Sequence, residues 1–271
     1  MFGAHFERDK EKFAVTYKIE EPITVSKNVF NDSLSAFYNA LTKNGCLMED
    51  VSCIGLRLVA PGVFFTEDRL IDEEFLQKLT LVANEDKAHI EPILKEIGRV
   101  RELFGAIQIV AVSDSAFHRT MSPVAKNYAL PKKFMKDFDV ERFGYHGISL
   151  SGIVRSLSAR LWGLEKRAII CHLGSGASVT AVLDGKSIDT SMGYSPLEGL
   201  IMSSRVGDLD VGAVLHILEK KSVAELQDAL YKESGLLAVS GLSDDMRILI
   251  DAEKEGHKGA SDAIEMFVYR I

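Results

Sequence analysis

The sequence is short of cysteine, of positive charge and of long apolar runs, and each shortage excludes something. Its three cysteines, Cys46, Cys53 and Cys171, are odd in number and show no C-x-x-C spacing. That argues against a disulfide framework or a zinc site and fits a reducing cytoplasm. Against 39 aspartates and glutamates stand 32 lysines and arginines, a net charge of −7. Nothing therefore points to a nucleic-acid surface, and an anionic ligand must be met by locally placed basic residues. No apolar run approaches the ~18 to 20 residues of a membrane span, so no membrane partner is expected. The opening stretch, MFGAHFERDKEKF, lacks the apolar core of a signal peptide. Internal repeats, low-complexity tracts and obvious linkers are also missing. At 271 residues the chain has room for one large domain or two modest ones, with a substantial core.

What is present is organised around residues 167–205. The apolar run Ala168, Ile169, Ile170 ends in His172 and the small-residue turn Gly174, Ser175, Gly176, and ASVTAVL then reaches Asp184-Gly185. This predicts strand, glycine turn, strand, tight turn, strand. Glycines at such a turn let backbone N–H groups approach an anion because no Cβ intervenes. The turn is either phosphate-facing or an ordinary bend.

Before it, residues 13–19 alternate like a strand. A helix capped at 31–33 carries Leu34, Phe37, Tyr38 and Leu41 and stops at Gly45. Residues 51–59 read as a buried strand with Arg57 inside it, either an ion-pair partner or a residue at the lip of a site. Helices are predicted at 72–83 and after Pro92, with His89 between them. The strand 106–112 runs into Ser113-Asp114-Ser115. A carboxylate at a strand end either points into a ligand crevice, to hold magnesium or orient a nucleophile, or caps the next turn. Residues 116–134 look loop-like. His146 lies between Gly144 and Gly147 just before a helix, where it either donates to a phosphoryl oxygen or is an idle turn residue. Arg205 either contacts phosphate or pairs with Asp208. Helices are expected at 210–220 and 222–233. A glycine- and serine-rich loop, 234–247, then holds a nucleoside or caps the next helix, and the chain ends within a helix.

Together SDSAFHRTMSP, NYALP, RFGYHG, ICHLGSGASV, DGKSIDTSMGYSPLEGL, SSRVGDLD, SGLLAVSGLSDDMR and FVYRI resemble the acetate kinase family of the actin, sugar kinase and Hsp70 superfamily. The resemblance implies phosphoryl transfer between ATP and acetate, giving acetyl phosphate and ADP, with Mg2+ as cofactor. Propionate or butyrate is the alternative acceptor, and a non-catalytic nucleotide- or partner-binding relative is the alternative reading. On matching positions it implies that Arg57 and Arg205 hold the carboxylate and the transferring phosphoryl, and that His146 donates to the transition state. Asp114 would orient the acceptor or help hold the metal. His172, Gly174, Ser175 and Gly176 would cradle the ATP phosphates, and Asp245, Met246 and Arg247 would line the adenosine pocket. His89 matches a substrate-binding histidine loosely. A cytoplasmic homodimer is also implied.

The expected fold class is α/β: a two-lobed actin-like or ribonuclease H-like fold with mixed sheets flanked by helices. The lobes are expected at 1–117 and 118–271. The family's opening phosphate loop and its G-G-I-G-E-N segment have no counterpart in the sequence, so the fold is expected to be incomplete at both ends and activity of this chain alone impaired. Within the match, Leu150 replaces a histidine and Ser175 an asparagine.

Overall fold

The computed structural model describes residues 4–9, 12–17, 23–28, 32–83, 87–160 and 167–271. They form an α/β fold in two compact units, Met1–Leu56 with Leu70–Ala111 and Arg57–Arg69 with Val112–Ile271. In the first unit, β1 (Ala4–Asp9), β2 (Lys12–Tyr17) and β3 (Ile23–Val25) make an antiparallel sheet, Ala4 opposite Tyr17 and Phe13 opposite Val25. The strand expected at 13–19 is thus the middle of three.

Three helices follow the same unit's apolar periodicity: α1 (Ser33–Lys43), α2 (Glu73–Ala83) and α3 (Lys87–Phe104). Phe75, Leu79 and Ala83 of α2 are buried, as are Ile90, Ile97 and Val100 of α3, the i, i+3, i+4 stripe of a helix that faces a core. Tyr38 of α1 meets Phe104 edge-on, ring centroids 5.2 Å apart, and Arg99 pairs with Asp32 beside the start of α1. Helix α3 starts five residues before Pro92, not after it, so His89 lies in its first turn; the His89 side chain is outside the described residues.

A second sheet has the order β4 (Cys53–Leu58), β6 (Gln108–Ser113), β5 (Arg69–Leu70). The last residues of β4 and β6 belong to the second unit. There the Asp114 N–H donates to the Leu58 carbonyl at 2.9 Å, which sets the end of β6 beside Arg57 and Leu58.

The rest of the second unit is built on β7 (Arg167–Leu173), β8 (Ala177–Leu183) and β9 (Lys186–Thr190), antiparallel in that order. Asp184 and Gly185 both have positive φ, 49° and 76°, the type I′ turn their sequence predicts. Helix α6 (Gly147–Arg160) puts Leu150 into a core with Ile170 and Val182. Two short helices, α4 (Pro123–Lys126) and α5 (Lys132–Asp137), replace much of the loop expected at 116–134. Each begins at or just after a proline, whose fixed φ suits a first helical turn. Five helices complete the unit: α7 (Val211–Leu218), α8 (Val223–Lys232), α9 (Gly235–Ser240), α10 (Met246–Lys254) and α11 (Lys258–Arg270). A capping box between Ser222 and Glu225 starts α8. Ile201, Leu236, Leu249, Ala260 and Ala263 form the core under α9 to α11.

Helix α9 is flanked by two glycines with nearly the same dihedral, Gly235 (φ +66°) and Gly241 (φ +62°). A Cβ at Gly235 would lie 2.1 Å from the Met202 carbonyl oxygen, whereas one at Gly241 would meet nothing within 4 Å. In urea denaturation Gly241→Ala should therefore cost only the left-handed penalty of ~1 to 2 kcal/mol. Gly235→Ala adds an overpacking term of ~1 to 3 kcal/mol. Equal losses for the two variants would contradict this packing.

Candidate active site

The site grows from Asp114, which follows β6 directly. Its side chain is 2% exposed, and a buried carboxylate must be paired and hydrogen-bonded. Arg57 Nη2 donates to Oδ2 at 2.9 Å. The His146 N–H donates to the same oxygen at 2.9 Å, and the Ile148 N–H reaches Oδ1 at 3.4 Å. Arg57 is both things its position in the strand left open: a partner of a buried acid, and a side chain 61% exposed at the lip. Asp114 caps the start of α6 rather than the turn that follows it in sequence. That hold also places His146 in the left-handed region, φ 66°, which non-glycine residues seldom adopt.

His146 and His172 stack, ring centroids 4.1 Å apart and planes at 23°. Each Nδ1 is taken by a serine: His146 by Ser178 at 2.9 Å, His172 by Ser149 at 3.1 Å. The Nε2 atoms are left facing the glycine turn. A Cβ on Gly176 would sit 3.2 Å from His146 Nε2 and 3.6 Å from Arg205 Nη1, and one on Gly174 would sit 3.8 Å from His172 Nε2. Small residues here leave room for a ligand against both rings and a guanidinium. The Gly174 N–H itself bonds the Gly176 carbonyl at 3.1 Å, so it closes the turn instead of facing outward.

Arg205 is steadied by the Pro196 carbonyl, 3.3 Å from Nη1, not by Asp208, which accepts the Gly199 N–H. The segment bearing Pro196 is itself laced down. Arg142 donates to the carbonyls of Thr190, Ser191 and Met192 and to Glu198, and Tyr128 bonds Glu198 and receives the Tyr194 N–H.

Beside the turn lies a cavity of about 620 Å³ lined by Gly174, Ser175, Asp245, Met246 and Arg247, and also by Leu236 and Phe267. Asp245 caps α10 through the Arg247 N–H at 2.8 Å and binds the Arg247 guanidinium. The guanidinium, then the backbone N–H, draw the Asp245 carboxyl down to about 2. The loop expected at 234–247 is in part helix α9, and Leu236 from it forms part of the wall. Phe267 and Leu236 gave no chemical signal in sequence, because apolar residues at helical spacing read as core. Ser149 and Ser178 were likewise silent. Leu150 is fully buried and packs with Ile170 and Val182.

A magnesium ion needs several free oxygen donors. Both Asp114 oxygens are engaged, and among the described residues no three His, Cys, Asp or Glu side chains converge. Asp114 is here an acceptor for Arg57 and for the N–H groups at the head of α6.

The electrostatics sharpen one expectation. Burial, then the neighbouring His172, Arg57 and Arg205, push the His146 imidazole down to about 4, although Asp114 opposes them. Its folded value is below the ordinary 6.5, so the unfolded chain takes up this proton first as pH falls. The stability due to a neutral His146 is present above pH ~6.5 and is lost between about 6.5 and 4. Ring-proton NMR should give a His146 midpoint near 4; a midpoint near 6.5 would contradict the geometry.

Comparison with known proteins bears on this site as a whole. A sequence model of the Acetokinase family matches residues 5–271. The propionate kinase of Yersinia enterocolitica is 43% identical over 246 residues, covering 89% of this chain and 60% of its own. Among solved structures, a propionate kinase from Francisella tularensis matches with TM-score 0.85 and 32% identity, over 96% of this chain and 68% of that one. The acetate kinase of Porphyromonas gingivalis matches with TM-score 0.78 and 31% identity, over 96% and 67%. These neighbours have the actin-like α/β fold. The chain spans about 60% of the length of the curated relatives it matches. It belongs to the Acetokinase family.

Proposed function

We propose that this protein transfers a phosphoryl group between ATP and a short carboxylate, giving an acyl phosphate and ADP. The observation that carries the reading is the convergence of Arg205 and the two Nε2 atoms on the glycine turn, next to a cavity large enough for a nucleoside. In the forward direction a carboxylate oxygen bonds to the γ-phosphorus as the bond to the β,γ-bridging oxygen breaks. Negative charge then spreads over three equatorial oxygens, and catalysis is chiefly positioning and charge stabilisation.

In this scheme Arg57 and Arg205 hold the carboxylate and the transferring phosphoryl. His146 donates to an equatorial oxygen, and His172 with residues 174–176 faces the ATP phosphates. Asp245, Met246 and Arg247 line the adenosine end. Asp114 orients Arg57 and His146 and does not itself meet the substrate. Mg2+ is proposed to arrive bound to the nucleotide. The resemblance to acetate kinases suggests acetate as acceptor, while the names of the curated relatives favour propionate. A homodimer acting in the cytoplasm rests on the resemblance alone.

Hydroxylamine trapping of acyl phosphate, with MgATP and either acid, tests both points. Carboxylate-dependent hydroxamate should form, slowly from this chain alone and with propionate giving the larger kcat/KM. Arg205→Ala should lower kcat/KM by ~10²- to 10³-fold. ATP binding with no carboxylate-dependent product would instead favour a nucleotide-binding relative without turnover.

A further inference from the structure

Three histidines in the second unit have a serine hydroxyl on Nδ1, and one of them reveals the direction of the bond. His118 Nε2 lies 2.9 Å from the Tyr145 carbonyl. A carbonyl only accepts, so Nε2 carries the hydrogen. The neutral ring's Nδ1 is then an acceptor, and Ser187 Oγ, 2.8 Å away, must donate to it.

The same reasoning applies to His146. Ser178 is fully buried on β8, and its hydroxyl lies 2.9 Å from His146 Nδ1. If the hydroxyl accepted from Nδ1–H, its own hydrogen would be buried without an acceptor. If it donates, both the hydroxyl and Nδ1 are satisfied. The placement is also reciprocal. Ser178 sits opposite His172 in the β7–β8 register and serves His146 at the head of α6, while Ser149 on α6 serves His172 on β7. Two crossed His–Ser bonds and one ring stack thus tie the start of α6 to the sheet, and both Nε2 atoms emerge on the side of the turn.

We infer that Ser178 is a positioning residue that locks His146 as its Nε2–H tautomer and aims that N–H past Gly176 toward the transferring phosphoryl. A neutral imidazole then still supplies a donor, with no change in protonation during turnover. This rests on the proposed phosphoryl-transfer role of His146. The tautomer, however, is measurable without turnover, so the two ideas fail separately.

The test is Ser178→Ala, with Ser178→Thr as the variant that keeps the hydroxyl, followed by long-range 1H–15N correlation of the His146 ring at neutral pH. The native protein should show one protonated nitrogen, Nε2, and one unprotonated, Nδ1. In Ser178→Ala the two signals should move toward each other as both tautomers populate. Acyl phosphate formation should lose about tenfold in kcat, below the ~10²-fold of deleting a donor outright, with KM for ATP unchanged. Ser178→Thr should restore the native tautomer. A Ser178→Ala protein whose His146 stays wholly Nε2–H overturns the inference whatever its kcat, because any loss would then arise elsewhere. A native protein with Nδ1–H overturns it directly. Absence of turnover in the native protein, with the tautomer shift intact, would sink the function reading and leave Ser178 as the group that sets the ring.

Discussion

A carboxylate almost withdrawn from water is the constraint on which the second unit's chemistry depends. Asp114 must find partners for two oxygens in a setting where an unmet charge is severely penalised. Those partners are Arg57 and the N–H groups at the start of α6. Hydrogen bonds to charged groups contribute ~1.5 to 3 kcal/mol each, enough to hold His146 in an uncommon backbone conformation. One side chain therefore fixes the head of the α6 helix, the aim of a guanidinium and the position of an imidazole.

The groups so placed repel one another. Arg57 and Arg205 both disfavour a proton on His146, and Arg57 also lowers the proton affinity of Arg205, after burial. Such an arrangement is costly alone and would be relieved by an anion, which fits the phosphate-binding role proposed for this site. In the proposed scheme charge and donation are separate: the arginines supply positive charge, while the histidine is a neutral donor. The overall net charge of −7 does not oppose this, because the local field decides.

Much of the fold was legible. The apolar periodicity of α2 and α3, the Asp184-Gly185 turn and the β7–β8 hairpin all follow from residue pattern, because local sterics and period decide them. The short helices α4, α5 and α9 were not, since their proline or glycine boundaries look like loop. Among site residues, Arg57, Asp114, His146 and Arg205 stand out as polar groups in apolar or glycine-rich settings. Their connections do not. Arg57 and Asp114 are 57 residues apart in sequence, and serines such as Ser178 carry no signature until a register pairs them with a ring. Phe267 was hidden for the opposite reason, as one more apolar residue on a terminal helix. Leu150 completes a core with Ile170 and Val182, while the polar contact to His172 comes from Ser149 next to it.

The claim that Asp114 organises the site is tested most directly by amide hydrogen exchange in Asp114→Asn. An amide side chain of the same shape brings an NH2 group to where two donors already converge. Exchange at His146 and Ile148, whose N–H groups bond the Asp114 carboxylate, should rise by ~10-fold or more, the loss of about 1.4 kcal/mol or more of local protection. The paired amides of β8 should stay as they were. Unchanged protection at His146 and Ile148 would show that another interaction holds the head of α6 and would contradict the account.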